Sequence, residues 1–287
     1  MIGRLWVWVR LSRPHFLLGG FLMFGLGAST TRPVDGTDYL TGQLLVTMTQ
    51  LTAHYANEYA DVDADRSVEH RTAFSGGSGV LVDGSLPVRS ALWAARVTSV
   101  VAVLAAIVVA GSSVWAAALG LVALTVSWAY SVTPIRLLGT GWGELTTSVV
   151  VALLVPFVGA LVQTNEIPAV LWWSVAVLVP IHMAMMLVLE IPDLASDAAA
   201  GKRVLAVRIG RRATVVVIGS LLVLAFAGLA TAIVADRLPS GSAAAFAGLI
   251  AAAILAYALA RDQHHLMTTS AVGLFVLVSG GLLLGML

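Results

Sequence analysis

The sequence predicts an all-α membrane protein, a polytopic bundle of about nine transmembrane helices around a central cavity. Three observations carry that expectation. Apolar runs recur from Phe16 to the C-terminus, each close to the ~20 residues a helix needs to cross a hydrocarbon core. Apolar residues make up 59% of the 287 and charged residues only 11%, whereas soluble domains carry about 25% charged residues. The mean hydropathy of +0.94 leaves no stretch over for a soluble part, so residues 1–287 read as a single transmembrane domain.

Breaking the apolar runs at polar and Gly/Pro clusters places helices near 15–31, 39–61, 88–110, 113–130, 142–163, 168–190, 213–235, 241–260 and 267–286. The first is short, and only Gly111, Ser112 and Ser113 mark the break before the fourth. Ahead of the first helix, Arg4, Arg10 and Arg13 mix with Trp6 and Trp8. That mixture suits an interfacial lead-in to a retained span. Nine spans put the N-terminal segment and the loops at 62–87, 131–141, 191–212 and 261–266 on one side. Of the sixteen Lys and Arg residues, all but Arg32, Arg96 and Arg237 lie in those segments or within two residues of them. Positive charge is retained in the cytoplasm, so the expected placement is a multi-pass cell-membrane protein whose N-terminus and these loops are cytoplasmic. The charges are few and confined to loops, which excludes nucleic acid as a partner. The absence of cysteine excludes disulfides, thiolate nucleophiles and Cys-based zinc sites.

Two acidic clusters interrupt the apolar pattern. The first runs from Asn57 to Asp65 at the end of the second helix, with Asn57, Asp61 and Asp65 spaced i, i+4, i+8. At 3.6 residues per turn the three share one face, and His54 lies near the same stripe. The second runs from Glu190 to Asp197 at the end of the sixth helix, with Asp193 and Asp197 four apart and Pro192 expected to bend the chain. The repeated spacing, on helices running the same way, suggests two halves facing across one cavity. Converging carboxylates repel unless cations sit between them, and magnesium pairs such carboxylates with phosphate oxygens. Acids at membrane depth are costly and mark functional paths, so Asn57, Asp61, Asp65, Asp193 and Asp197 are the expected metal site. Glu58, Asp63 and Glu69 read better as solvated acids or helix caps.

A basic loop follows each cluster. The stretch Arg66–Gly79 carries Arg71 among glycines and hydroxyls, which can turn backbone N–H groups toward an anion; a flexible loop fits equally well. Gly201-Lys202-Arg203 follows the second cluster, and Lys202 is the only lysine in the chain. It is balanced between a phosphate contact and surface anchoring, while Arg208, Arg211 and Arg212 suit topology better. Tyr130 and Arg136 flank a third loop on the same side. On pattern alone they read slightly better as an interfacial aromatic and a snorkelling arginine.

These residues resemble the UbiA superfamily of intramembrane prenyltransferases. The likeness is carried by N-x-x-x-D-x-x-x-D at Asn57, Asp61 and Asp65, and by D-x-x-x-D-x-x-x-G-K at Asp193, Asp197, Gly201 and Lys202. Leu11–Phe16, Tyr130–Arg136 and Gly141–Glu144 match secondary features, and the whole extends from about residue 10 to residue 212. The resemblance implies a nine-helix bundle around a lipid-open cavity, with Mg2+ held by both motifs. It implies an isoprenyl diphosphate and a hydrophobic or aromatic acceptor as partners. Asp61, Asp193 and Lys202 become the expected catalytic residues, and Asn57, Arg71, Tyr130, Arg136 and Lys202 the expected substrate contacts. The stretch Tyr130–Leu145 looks most like the branch that prenylates dihydroxynaphthoate in quinone biosynthesis. Val204 stands where that pattern usually has threonine and Glu190 where asparagine is frequent, so the resemblance speaks for diphosphate chemistry more than for one acceptor. His54 and Glu144 are the candidates for a general base. A terpene cyclase on the same scaffold, a non-aromatic lipid or sugar-phosphate acceptor, and a transporter with intramembrane carboxylates are the alternatives. The basic loop after each cluster favours a diphosphate over a bare cation.

Overall fold

The computed structural model describes residues 2–66, 68 and 71–287, so Ser67, Glu69 and His70 of the first basic loop lie outside the described residues. A short helix α1 (Ile2–Ser12) leads in. Helical segments then occupy all nine expected places: α2 (Pro14–Ser29), α3 (Gly36–Asp65), α4 (Val88–Val109), α5 (Val114–Ser131), α6 (Gly143–Thr164), α7 (Ala169–Ala199), α8 (Leu205–Val234), α9 (Ser240–Ala260) and α10 (His264–Met286). Seven of these, α4 to α10, are long and apolar enough to cross a membrane, and α2 is a shorter apolar helix. The remaining helix, α3, spans 30 residues but carries the polar stripe. The described residues contain no strand.

Local chemistry explains the boundaries. Asp35 starts α3 by accepting hydrogen bonds from the Thr37 and Asp38 N–H groups at 2.8 and 2.9 Å, the N-cap arrangement. Ser113 does the same for α5, accepting from Ala116 N–H at 3.1 Å, so the shallow break at 111–113 is a true helix end. Pro192 tightens α7 into a 3-10 turn over Ile191–Asp193 before the helix resumes at Leu194. Two helices outrun expectation. The first is α3, which continues to Asp65. The second is α8, which begins at Leu205 rather than near 213, broken only at Gly210 (φ 77°, ψ 158°). In both, polarity marks the edge of the apolar layer and not the end of the helix, because Arg and the acids in these turns still allow helix.

The core is built by helices that approach closely. Glycine matters most where α2 meets α6. A Cβ at Gly27 would run into the Pro156 carbonyl oxygen, and one at Gly159 into the Phe24 carbonyl oxygen. Small residues are what allow two membrane helices to touch backbone to backbone. Met23, Phe24 and Leu26 of α2 are fully buried beside that contact, as are Leu178 and Ile181 of α7. A second, smaller cluster gathers Leu11, Tyr55, Val62, Val80 and Leu81 where α1 and the loop after α3 fold together. That cluster seats the loop over the acid-bearing end of the bundle.

Gly159→Leu is expected to lose the folded protein, because overpacking costs about 1–3 kcal/mol even where neighbours can shift and here backbone blocks the way. Gly228→Leu, at a position with nothing within 4 Å of a new Cβ, should behave as wild type. Thermal unfolding and size-exclusion of both variants in detergent check the pair; equal stability would contradict the α2–α6 contact.

Candidate active site

The helices enclose a cavity of about 330 Å³ whose walls come from α2, α3, α5, α6, α7 and α10. Its interior is apolar, with Val46, Leu154, Val158, Met185 and Phe275 among the lining residues. Its mouth is polar. One continuous helix presents Asn57, Asp61 and Asp65 to the cavity, as the spacing predicts, and Asp193 and Asp197 of α7 face them. All four aspartates therefore reach one space.

Cations hold this acid group together. Lys202 Nζ lies 3.4 Å from Asp61 Oδ2 and 3.2 Å from Asp197 Oδ1, with its side chain only 10% exposed. It thereby joins the first acidic cluster to the second. Burial works against the ammonium, but Asp61 and Asp197 outweigh it and hold the Lys202 pKa above its ordinary value. Surface anchoring is thus not what this lysine does. Arg136, in a left-handed backbone conformation, places its guanidinium 3.3 Å from Asp61 Oδ1. Asn57 Nδ2 donates to Asp61 Oδ2 at 2.9 Å, which fixes the carboxylate from the same helix. Tyr130 lines the cavity beside them, so the pairing of an interfacial aromatic with a snorkelling arginine gives way to two groups turned toward the acids.

The glycine loop closes the mouth. Gly76 and Gly77 adopt φ of 80° and 70°, a region that suits glycine. A Cβ at Gly77 would collide with the Asp65 carboxylate, while Gly76 turns its N–H toward Asp193. The loop thus touches one acid of each cluster. Arg71 braces this loop: its Nε and NH2 donate to the carbonyls of Gly76 and Asp65 at 2.9 and 2.6 Å. It shapes the loop and is not among the cavity-lining residues.

Two acids correct the sequence reading. Glu58, expected to be solvated, is 3% exposed. It accepts from Ser78 N–H at 2.7 Å and Ser78 Oγ at 2.6 Å, with Arg13 NH1 3.8 Å away. Burial follows from the loop folding over α3, which the local pattern does not encode. Glu144 is 1% exposed and accepts from Leu205 N–H at 2.6 Å, while Glu190 accepts from Ala206 N–H at 3.4 Å. These carboxylates cap the first turn of α8 and so fix the segment that carries Lys202. Glu144 is not a lining residue, so it does not stand where a general base is needed; Glu190 does line the cavity. Asp63 is exposed and pairs with Arg66 at 2.7 Å, as expected of a solvated acid. Arg13 reads in the sequence only as part of the interfacial lead-in and of the Leu11–Phe16 stretch. It lines the cavity and donates to the Phe74 carbonyl at 3.2 Å, and its position just before Pro14 was the available signal.

Among the described residues no group of three or more His, Cys, Asp or Glu is gathered as a closed metal site. The donor set nevertheless suits a hard cation. It is all oxygen, it faces one cavity from two helices, and Asp193 Oδ1 is buried without a hydrogen-bond partner among the described residues. Oxygen-only ligands with room left for a ligand's own oxygens are what magnesium takes.

The sequence profile of the UbiA prenyltransferase family matches residues 18–281. A 1,4-dihydroxy-2-naphthoate octaprenyltransferase of Bacillus subtilis (strain 168) is 25% identical over 224 residues, covering 76% of this chain and 70% of that protein. Among solved structures, an apo UbiA homolog from Aeropyrum pernix K1 superposes with a TM-score of 0.71 at 17% identity, covering 94% of this chain and 96% of that one. A UbiA homolog from Archaeoglobus fulgidus bound to GPP and Mg2+ gives 0.69 at 16% identity, covering 96% and 99%. At these identities the structures show the shared fold.

Glu58→Leu leaves the Ser78 donors unpaired and is expected to destabilise by about 1–3 kcal/mol, whereas Asp63→Ala should stay within about 0.5 kcal/mol of wild type. Denaturant unfolding in mixed micelles would read both, and a Glu58 variant as stable as the Asp63 variant contradicts the buried role.

Proposed function

The chain belongs to the UbiA prenyltransferase family, and we propose that it moves an isoprenyl group from an isoprenyl diphosphate to an aromatic quinone precursor, with Mg2+ as cofactor. The observation that carries this reading is the Lys202 bridge between Asp61 and Asp197 at the polar mouth of an apolar cavity. A diphosphate with a hydrocarbon tail has the same division of character. The likeness to the Bacillus subtilis naphthoate octaprenyltransferase supports an aromatic acceptor. The basic bias of the loops supports a cytoplasmic mouth, with residues 1–287 acting as one transmembrane unit.

Asp61, Asp65, Asp193 and Asp197, with Asn57 as an oxygen donor, would hold magnesium, which neutralises charge on the diphosphate when bound. The chain's own groups do the rest. Lys202, Arg136 and Arg13 surround the mouth with positive charge. They stabilise the negative charge that builds on the leaving oxygen as the allylic C–O bond breaks. Tyr130 and the Gly76–Gly77 backbone bound the space the diphosphate fills. The apolar walls keep water from the cationic prenyl carbon, so that an electron-rich ring carbon captures it instead.

Asp61→Ala or Asp193→Ala is expected to abolish prenyl transfer, by at least 100-fold, while folded protein is still recovered from membranes. Chelation of divalent metal should have the same effect on wild type and be reversed by added Mg2+. Product mass spectrometry with a geranyl diphosphate donor and naphthol acceptors checks the prediction. Full activity in either variant overturns the site, and acceptor-independent cyclic products would mark a cyclase.

A further inference from the structure

His54 is a cavity group that diphosphate binding does not use. His54 lies one turn below Asn57 on α3, about 4.5 Å along the helix axis, and lines the cavity. Its Nδ1 is 2.9 Å from the Ser12 carbonyl oxygen. A carbonyl oxygen only accepts, so Nδ1 carries the hydrogen, and in the neutral ring Nε2 keeps its lone pair. That Nε2 has no hydrogen-bond partner among the described residues and is not sealed from the cavity. A core histidine kept only for packing would have both nitrogens satisfied.

The wall around His54 is aromatic. The Phe16 ring stands 5.8 Å from the imidazole and 5.7 Å from Phe74, both in edge-on geometry. His15 adds a ring 4.6 Å from Phe16 and 5.2 Å from Phe74. His15, Phe16, Phe74 and His54 all line the cavity. Such a cluster offers ring edges and faces to a planar aromatic molecule, with the imidazoles of His15 and His54 among them; His54 is the one whose tautomer the Ser12 carbonyl fixes.

We propose that Phe16, Phe74 and His54 form the acceptor subsite, and that His54 Nε2 takes the hydroxyl proton of a phenol-type acceptor during transfer. The inference rests on the aromatic-acceptor reading above. As a ring carbon of the acceptor bonds to the prenyl C1, the C1–O bond breaks and its electron pair leaves with the diphosphate. The hydroxyl proton passes to Nε2. The dienone so formed tautomerises, its ring proton replacing the one lost from oxygen, so one proton ends on His54 for each diphosphate released. The imidazolium returns that proton to water at the mouth.

The test uses the full-length protein with Mg2+, geranyl diphosphate and two naphthols, one neutral and one already ionised at the assay pH. His54→Ala is paired with His54→Asn, whose amide N–H can keep the Ser12 contact while Nε2 is lost. With the neutral naphthol, both variants are expected to transfer about 100-fold more slowly, the scale of general-base catalysis. Diphosphate release without acceptor should stay within about twofold of wild type. With the ionised naphthol the loss should shrink below about tenfold, and added imidazole should restore part of the His54→Ala rate. Phe74→Leu should raise the acceptor KM more than it lowers kcat. Equal losses with both naphthols, or undiminished transfer by both variants, overturn the assignment of His54. Wild type that releases diphosphate but prenylates neither naphthol overturns the aromatic-acceptor reading instead.

Discussion

Four aspartates facing one cavity at the edge of an apolar layer are the constraint on which this structure depends. Unpaired, they would repel one another and resist burial. Lys202 resolves most of that conflict by lying between Asp61 and Asp197, one acid from each half of the bundle. The short segment that carries Lys202 is in turn fixed because Glu144 and Glu190 cap the start of α8. The lysine's segment is therefore held by Glu144 and Glu190, while the lysine itself holds Asp61 and Asp197 together.

The same logic orders the loop after α3. Glu58, three residues before Asp61 on the helix, receives the Ser78 donors. Arg71 gathers the Gly76 and Asp65 carbonyls. Together they press the glycines against Asp65 and Asp193. The mouth is thus bordered by side chains and backbone that these contacts already fix.

Much of this was readable from residue spacing, and the limits have physical causes. Asn57, Asp61 and Asp65 could be assigned to one face because helical period alone decides it. Asp193 and Asp197 could be matched to them because the second cluster repeats the spacing on a helix of the same direction. Helix ends were less legible: α3 and α8 run on through charged turns, since charge reports the apolar boundary and helix needs only suitable residues. The burial of Glu58 was not legible because its surroundings come from a loop folding back over α3, a long-range contact that leaves no local pattern. Lys202 was undecided for a related reason, as one lysine serves equally on a surface or in a site until its neighbours are placed.

The contact between α2 and α6 sets a limit of a different kind. Both helices start at the acid-bearing end and line the cavity, α2 as far as Gly20 and α6 from Thr147 onward, yet at Gly27 and Gly159 their backbones meet. The lining on α6 stops at Val158, the residue before that contact. On this side the cavity ends against main chain, which no side-chain rotation can move. A ligand that reaches this depth cannot pass between α2 and α6, where the two backbones touch. Any way out at that depth therefore lies between other pairs of helices.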